Sequence, residues 1–192
     1  TEYEKYNGEW KDGKFDGNGE YHHKDGGHYV GEFKNGQIEG KGVYNYSGGK
    51  YEGELKNNKR EGMGTFQFVS GSTYVGNWQQ DKYHGKGKLN NLINESTYDG
   101  DYNCGKMEGI GTYRKKNGEY YVGQLKHDLF VGRGTYYYNN ENRYEGEWKG
   151  DLKHGNGVYI YKNGIRFYGK WDNNVCKEGI YYLTNDTQKK GA

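Results

Sequence analysis

The feature that most constrains this chain is a glycine that returns at nearly fixed intervals inside the triplet Y-x-G and its variants. The anchors are Gly8, Gly31, Gly53, Gly76, Gly100, Gly123, Gly146 and Gly169, spaced by 23, 22, 23, 24, 23, 23 and 23 residues. A second pair of glycines follows nine and eleven residues after the anchor in seven of the units, from Gly17/Gly19 to Gly155/Gly157. A period in this range is the mark of an array of supersecondary units rather than of one globular domain. The unit is clearest in the stretch YEGEWKGDLKHGNGVY, Tyr144 to Tyr159.

Alternation within the unit is of period two. In Tyr6-Asn7-Gly8-Glu9-Trp10 the Tyr, Gly and Trp fall on one face of a strand, and Gly17-Asn18-Gly19-Glu20-Tyr21 repeats the pattern. Pairing Tyr6 with Tyr21, Gly8 with Gly19 and Trp10 with Gly17 predicts a hairpin whose loop runs from Lys11 to Asp16. The link to the next unit must keep the aromatic face, so Tyr21 meets Tyr29 and Lys24-Asp25-Gly26 becomes a three-residue turn ending in glycine. Val69-Ser70-Gly71, Lys116-Asn117-Gly118 and Lys162-Asn163-Gly164 follow the same rule. The unit spaced 22 shortens to Ser47-Gly48, the one spaced 24 lengthens to Leu92-Ile93-Asn94-Glu95, and Asn139-Asn140-Glu141 lacks the expected glycine.

The expected fold is all-β: an elongated, twisted, single antiparallel sheet of consecutive hairpins. About sixteen strands at ~4.8 Å each would span on the order of 75 Å. Three rows cross the sheet: one of stacked aromatics, one of glycine alone, and one alternating a bulky residue with glycine. The glycine row makes room for rings to lie over the backbone. On the other face Lys41 is expected to meet Glu32 and Glu54 in exposed ion pairs. Residues 1–5 read as the end of a preceding repeat in a longer array, 6–182 as about eight repeats of which the last is degenerate, and 183–192 as a polar tail.

Composition decides between a folded array and disorder. Mean hydropathy is −1.33 and apolar residues make up 31 % of the chain, yet aromatics are 17 % and the formal net charge is only +2. Disordered chains are aromatic-poor and strongly charged, so here the rings supply the burial. The 35 glycines come without a single proline, which excludes collagen and proline-rich linker readings. Two cysteines, no signal peptide and no bilayer-length apolar run make a reducing, cytoplasmic location the expectation.

No catalytic constellation emerges. The double glycines lack the lysine of a phosphate loop and are spaced by the pleat. His84 and His154 recur at one position, as do Glu9, Glu32 and Glu54, and repetition argues for a strand role rather than acid–base chemistry. Cys104 and His127 each lie four residues past an anchor, roughly 10 Å apart across two strands. They are either ordinary loop residues or half of a zinc site that a two-fold partner would complete as a structural zinc at a dimer seam. No other cofactor is expected, and no nucleic-acid partner.

The unit Y-x-G-E-W-x(6)-G-x-G-x-Y with its turn glycine resembles the MORN repeat, named for membrane occupation and recognition nexus, over Tyr6 to Tyr182. The chain is most similar to the repeat-only cytoskeletal scaffolds of protozoan parasites, since it holds nothing but repeats and uses Asn, Lys and Tyr heavily. That resemblance implies an antiparallel sheet that dimerises through its C-terminal repeats. Tyr136, Tyr138, Tyr159, Tyr161, Phe167 and Trp171 are the residues crowded there and are the expected interface. The expected function is a non-enzymatic scaffold, a homodimer or higher assembly organising cytoskeletal or cortical proteins. The alternative is a peripheral module for anionic phospholipids such as phosphoinositides, using Lys56/Lys59/Arg60 and Arg114/Lys115/Lys116.

Overall fold

The computed structural model describes residues 4–183, so the tail expected over 183–192 lies, apart from Leu183, outside the described residues, as do residues 1–3. Strand formation follows the alternation read from the sequence. The strands are β1 (Lys5–Lys11), β2 (Lys14–His22), β3 (His28–Lys34), β4 (Gln37–Tyr46), β5 (Gly49–Lys56), β6 (Lys59–Phe68), β7 (Thr73–Gln79) and β8 (Lys82–Asn91). They continue with β9 (Ser96–Asn103), β10 (Lys106–Arg114), β11 (Tyr120–Lys126), β12 (Leu129–Tyr137), β13 (Arg143–Lys149), β14 (Leu152–Ile160), β15 (Arg166–Asp172) and β16 (Val175–Tyr182). The order in the sheet is the order in the chain. Two units are distinguished, Thr1–Lys106 and Met107–Ala192, called the first and second units below.

In the first unit the predicted register holds between repeats. Tyr21 pairs with Tyr29, Gly19 with Gly31 and Gly17 with Phe33. The turn between them is the predicted three-residue loop: the His23 amide donates to the Gly27 carbonyl, and Gly26 sits at φ 88° in the left-handed region. Tyr46 pairs with Gly49 around Ser47-Gly48, and Asn91 with Ser96 around the four-residue turn. In the second unit Glu141 takes the left-handed position at φ 67° that glycine takes in the equivalent turns, so the turn keeps its shape without the residue that suits it.

Within a repeat the predicted register is right for two rows and wrong for the third. Tyr6 pairs with Tyr21 and Gly8 with Gly19, but Trp10 pairs with Phe15 rather than Gly17. The loop is therefore not Lys11 to Asp16 but the two residues Asp12-Gly13, both left-handed. This is the tight hairpin turn whose twist matches that of the strands. The residues so released are taken up by a bulge opposite Glu9, where Gly17 adopts φ 80°. The same displacement recurs between Gly31 and Phe33, Gly53 and Leu55, and Gly76 and Trp78 in the first unit, and after Gly123, Gly146 and Lys170 in the second.

The cores are made by tyrosines lying on glycine. Tyr29, Tyr51, Tyr74 and Tyr98 in the first unit, and Tyr121 and Tyr144 in the second, are the largest fully buried side chains. Each belongs to the anchor triplet, and a Cβ built on the glycines beside Tyr29, Tyr51, Tyr74, Tyr121 or Tyr144 would overlap its ring. Each phenol donates to the carbonyl three residues on, at 2.8–3.2 Å, which ties the ring to the bulge. The alternate members of the aromatic row are covered unevenly: Phe66 and Tyr136 are buried, whereas Tyr21, Tyr44, Tyr113 and Tyr159 are only partly covered.

Candidate functional site

The second residue after the two-residue turn, seven past the anchor, lies against the anchor-triplet tyrosine in five repeats. It is an aromatic in Phe15, Tyr83 and Phe130, which stack face to face on Tyr6, Tyr74 and Tyr121 at 3.9, 3.7 and 3.8 Å between centroids. In two repeats it is a cation. Arg60 lies 4.2 Å from the Trp78 ring centroid and Lys153 lies 5.0–5.4 Å from the rings of Tyr138, Tyr144, Tyr159 and Trp171. Burial pulls the Lys153 ammonium below its ordinary pKa. The position falls inside the loop expected from alternation, Lys11 to Asp16 in the first repeat, and it holds Ile38, Met107 and Cys176 in the remaining repeats.

Where Glu follows the anchor glycine, at Glu9, Glu32, Glu54 and Glu147, it has a structural task as well. Glu32 accepts from the Lys41 amide at 3.0 Å and Glu147 from the Asn156 amide at 3.1 Å, each bracing the bulge nine residues away. Gln124 does the same for Arg133. Lys41 does pair with Glu54 in register, but its ammonium forms no ion pair with Glu32 or Glu54 among the described residues, because the Glu32 carboxylate is turned onto the backbone. Turns are clipped to the preceding repeat in a similar way: Asp128 accepts from Met107 and Asp151 from Phe130, at 2.8 and 2.7 Å.

With these groups engaged in the fold, the surface left for function in the second unit is aromatic. A groove of about 500 Å³ is lined by Tyr113, Phe130, Tyr136, Tyr138 and Trp148, with Lys115, Lys153, Asp128 and Asp151 among its polar groups. Tyr136, 6 % exposed, donates to Glu119 at 2.7 Å. Burial and the neighbouring Glu119 push its phenol well above the ordinary range. The six residues expected at an interface fall into two ring groups that Lys153 and Tyr181 join. Tyr138 is 4.8 Å from Tyr136 and 5.6 Å from Tyr159, Tyr161 is 4.9 Å from Tyr159, and Phe167 is 6.1 Å from Trp171. Lys153 bridges Tyr138 and Tyr159 to Trp171. Except for Tyr136 these rings are half-buried, and the cluster reaches exposed Tyr181 on β16.

The opposite face of the same unit carries a broader trough of about 1410 Å³ floored by the paired glycines. Its residues include Val122, Val158, Tyr168 and Ile180 as well as Arg133, Glu147, Lys170 and Glu178.

Cys104 and His127 occupy equivalent places, the first residue of a two-residue turn, with φ 50° and 51°. Cys104 is exposed and belongs to the first unit, while His127 belongs to the second, where its amide donates to Glu108. The basic groups proposed for lipid are partly engaged at home: Arg60 is bound to Asp81 and lies over Trp78, and Arg114 lies 4.2 Å from the Tyr120 ring centroid.

The MORN repeat family matches seven times in succession, over residues 6–28, 29–50, 51–73, 74–90, 98–120, 121–143 and 144–166. The chain belongs to the MORN repeat family. No curated protein matches it in sequence. Among solved structures it is loosely similar to the TCP domain of Drosophila melanogaster SAS-4 (dCPAP), solved with a proline-rich motif of Ana2 (dSTIL). Identity there is 11 %, 88 % of this chain and 84 % of that one are covered, and the TM-score is 0.46. The wild-type TCP10 domain of Danio rerio CPAP gives 9 % identity, 81 % and 74 % coverage and a TM-score of 0.47. The same domain with a peptide of Danio rerio STIL gives 12 %, 80 %, 73 % and 0.43. The MORN repeats themselves account for the recurring tyrosine, glycine and bulge described above.

Proposed function

We propose that this MORN repeat chain is a non-enzymatic protein-binding scaffold whose second-unit ring cluster pairs with a second copy, and whose array holds partner proteins. One observation carries this reading: the half-buried rings from Tyr138 to Trp171 are linked through Lys153 and Tyr181, and the groove beside them is open to a partner. A single layer of sheet covers one side of such rings and leaves the other wet, and burying exposed apolar surface drives association. Closed two-fold pairing is the commonest soluble outcome. The carboxylates and histidines that recur along the repeats brace bulges or lie at strand positions, which leaves them without an acid–base task. The resemblance to cytoskeletal scaffolds makes cortical and cytoskeletal proteins the partners to try first.

Light scattering on the chain at tens of micromolar tests this. A dimer is expected, with Tyr161→Asp shifting it to monomer, because a carboxylate placed among partly covered rings must be desolvated to pair. A monomeric wild-type protein would overturn self-association. Sedimentation with anionic vesicles at low salt separates the lipid alternative, since attraction through surface cations weakens with ionic strength.

A further inference from the structure

Three residues at the β2–β3 turn of the first unit stand apart from the repeat. The register sets His22 directly opposite His28, and Glu20, two residues before His22, shares its face. The two imidazole rings are stacked, 4.4 Å between centroids and 16° between planes. Their Nε2 atoms converge on a single oxygen: Glu20 Oε1 lies 2.7 Å from His28 Nε2 and 3.1 Å from His22 Nε2. Among the described residues this is the only group of three His, Cys, Asp or Glu whose ligand atoms gather, all within 4.8 Å of one another.

We propose that Glu20, His22 and His28 form a binding site for a divalent transition cation, zinc foremost, that staples β2 to β3. Two neutral imidazole nitrogens and one carboxylate are a donor set that zinc accepts, with water completing the shell. Ligand atoms about 2.0–2.2 Å from one ion stand ~3.3 Å apart in a tetrahedron. Two of the three separations are already that short, and the third closes by rotation of surface side chains without backbone movement. The ion replaces whatever proton the carboxylate shares with the rings, so binding releases protons.

The repeat does not require these residues. The equivalent positions are Val43, Asn45 and Lys50 in the next repeat and Val158, Ile160 and Arg166 in the seventh. Strand pairing and ring burial proceed there without imidazole or carboxylate, so the convergence is particular to one turn. Lys5 on β1 and Asn45 on β4 are the residues paired with His22 and His28 on their outer sides. Lys5 is exposed on a long flexible stem and can swing its charge into water.

The test is a zinc titration against a chromogenic chelator, in a Cys104→Ala/Cys176→Ala background so that thiolates cannot contribute. One zinc per chain is expected, with affinity falling at least tenfold in His28→Asn and in Glu20→Gln. All three side chains lie at the surface, so an unchanged circular dichroism spectrum is expected to show these variants folded. Should a variant not fold, the cobalt(II) spectrum of the parent decides, since two nitrogens and oxygen give ligand-field bands of defined intensity and free aqueous cobalt does not. Binding of equal affinity in parent and His22→Asn/His28→Asn, or a parent spectrum matching aqueous cobalt, would overturn the proposal.

Discussion

A phenol over a pair of glycines is the smallest part from which this protein is built. The Tyr121 ring occupies the space where side chains of Gly123 and Gly134 would begin, and its hydroxyl donates to the Gln124 carbonyl at 2.9 Å. Gly134→Val must therefore displace either the ring or the strand, and a loss of about 2–4 kcal/mol is expected in denaturant titration. A midpoint equal to the wild type would refute the packing described here. Alkali should act on the same residues. Burial raises Tyr29 and Tyr83 from 10.0 to about 12, and Tyr51, Tyr74, Tyr121 and Tyr144 are raised as well. Between pH 10 and about 12 the unfolded chain has given up phenol protons that the folded chain retains. Stability is thus full below pH 10 and falls as the pH rises toward 12. Thermal melts across that range should fall steeply, with tyrosinate absorbance appearing together with unfolding; tyrosinate forming in a chain that stays folded would contradict the burial.

At the scale of one hairpin the bulge is the part that needs bracing. The Glu147 carboxylate accepts from the Asn156 amide, and without it that donor faces the bulge unpaired. Glu147→Ala should cost about 1–2 kcal/mol, whereas Glu147→Gln should cost little, because Gln124 already fills the role toward Arg133 in the preceding repeat. Equal losses in the two variants, read from chemical denaturation, would show that charge rather than hydrogen bonding matters there. The bulge also marks where sequence reasoning stopped. Period two and the demand for a constant face were enough to place Tyr21 opposite Tyr29 and Gly8 opposite Gly19, and to find the three-residue turns. A bulge breaks that period, so the pairing of Trp10 with Phe15 and the turn at Asp12-Gly13 could not follow from alternation alone. The signal for it lies in Asp12-Gly13 itself, a dipeptide suited to tight hairpins, and in the large side chain seven residues past the anchor, a ring or cation at Phe15, Arg60, Tyr83, Phe130 and Lys153. The structure places Tyr136, Tyr138, Tyr159 and Tyr161 in one chain of ring contacts, but nothing in the period distinguishes buried Tyr136 from half-covered Tyr138. The convergence of His22 and His28 is legible only once the register of that turn is drawn.

Within each unit the recurring contact is between neighbours in sequence, strand against next strand and turn against the repeat before it. In the first unit β3 packs on β4, β4 on β5 and so on to β8 on β9, and the clip from Asn58 to Ile38 reaches back one repeat. Repeat proteins built this way have stabilities that sum from local units and nearest-neighbour terms, so damage stays near its origin. Gly42→Val is the discriminating change, because a side chain there would overlap the Tyr29 ring, buried between β3 and β4. Amide hydrogen exchange should show protection lost in β3, β4 and β5, whose glycines Gly31, Gly42 and Gly53 are paired in one row. Protection in β7, β8 and β9 should persist, since Tyr74 is covered by Tyr83 and Tyr102, and none of these residues touches Tyr29. A uniform loss across β3 to β9 would mean that the first unit opens as one cooperative body, and the nearest-neighbour account would have to be abandoned.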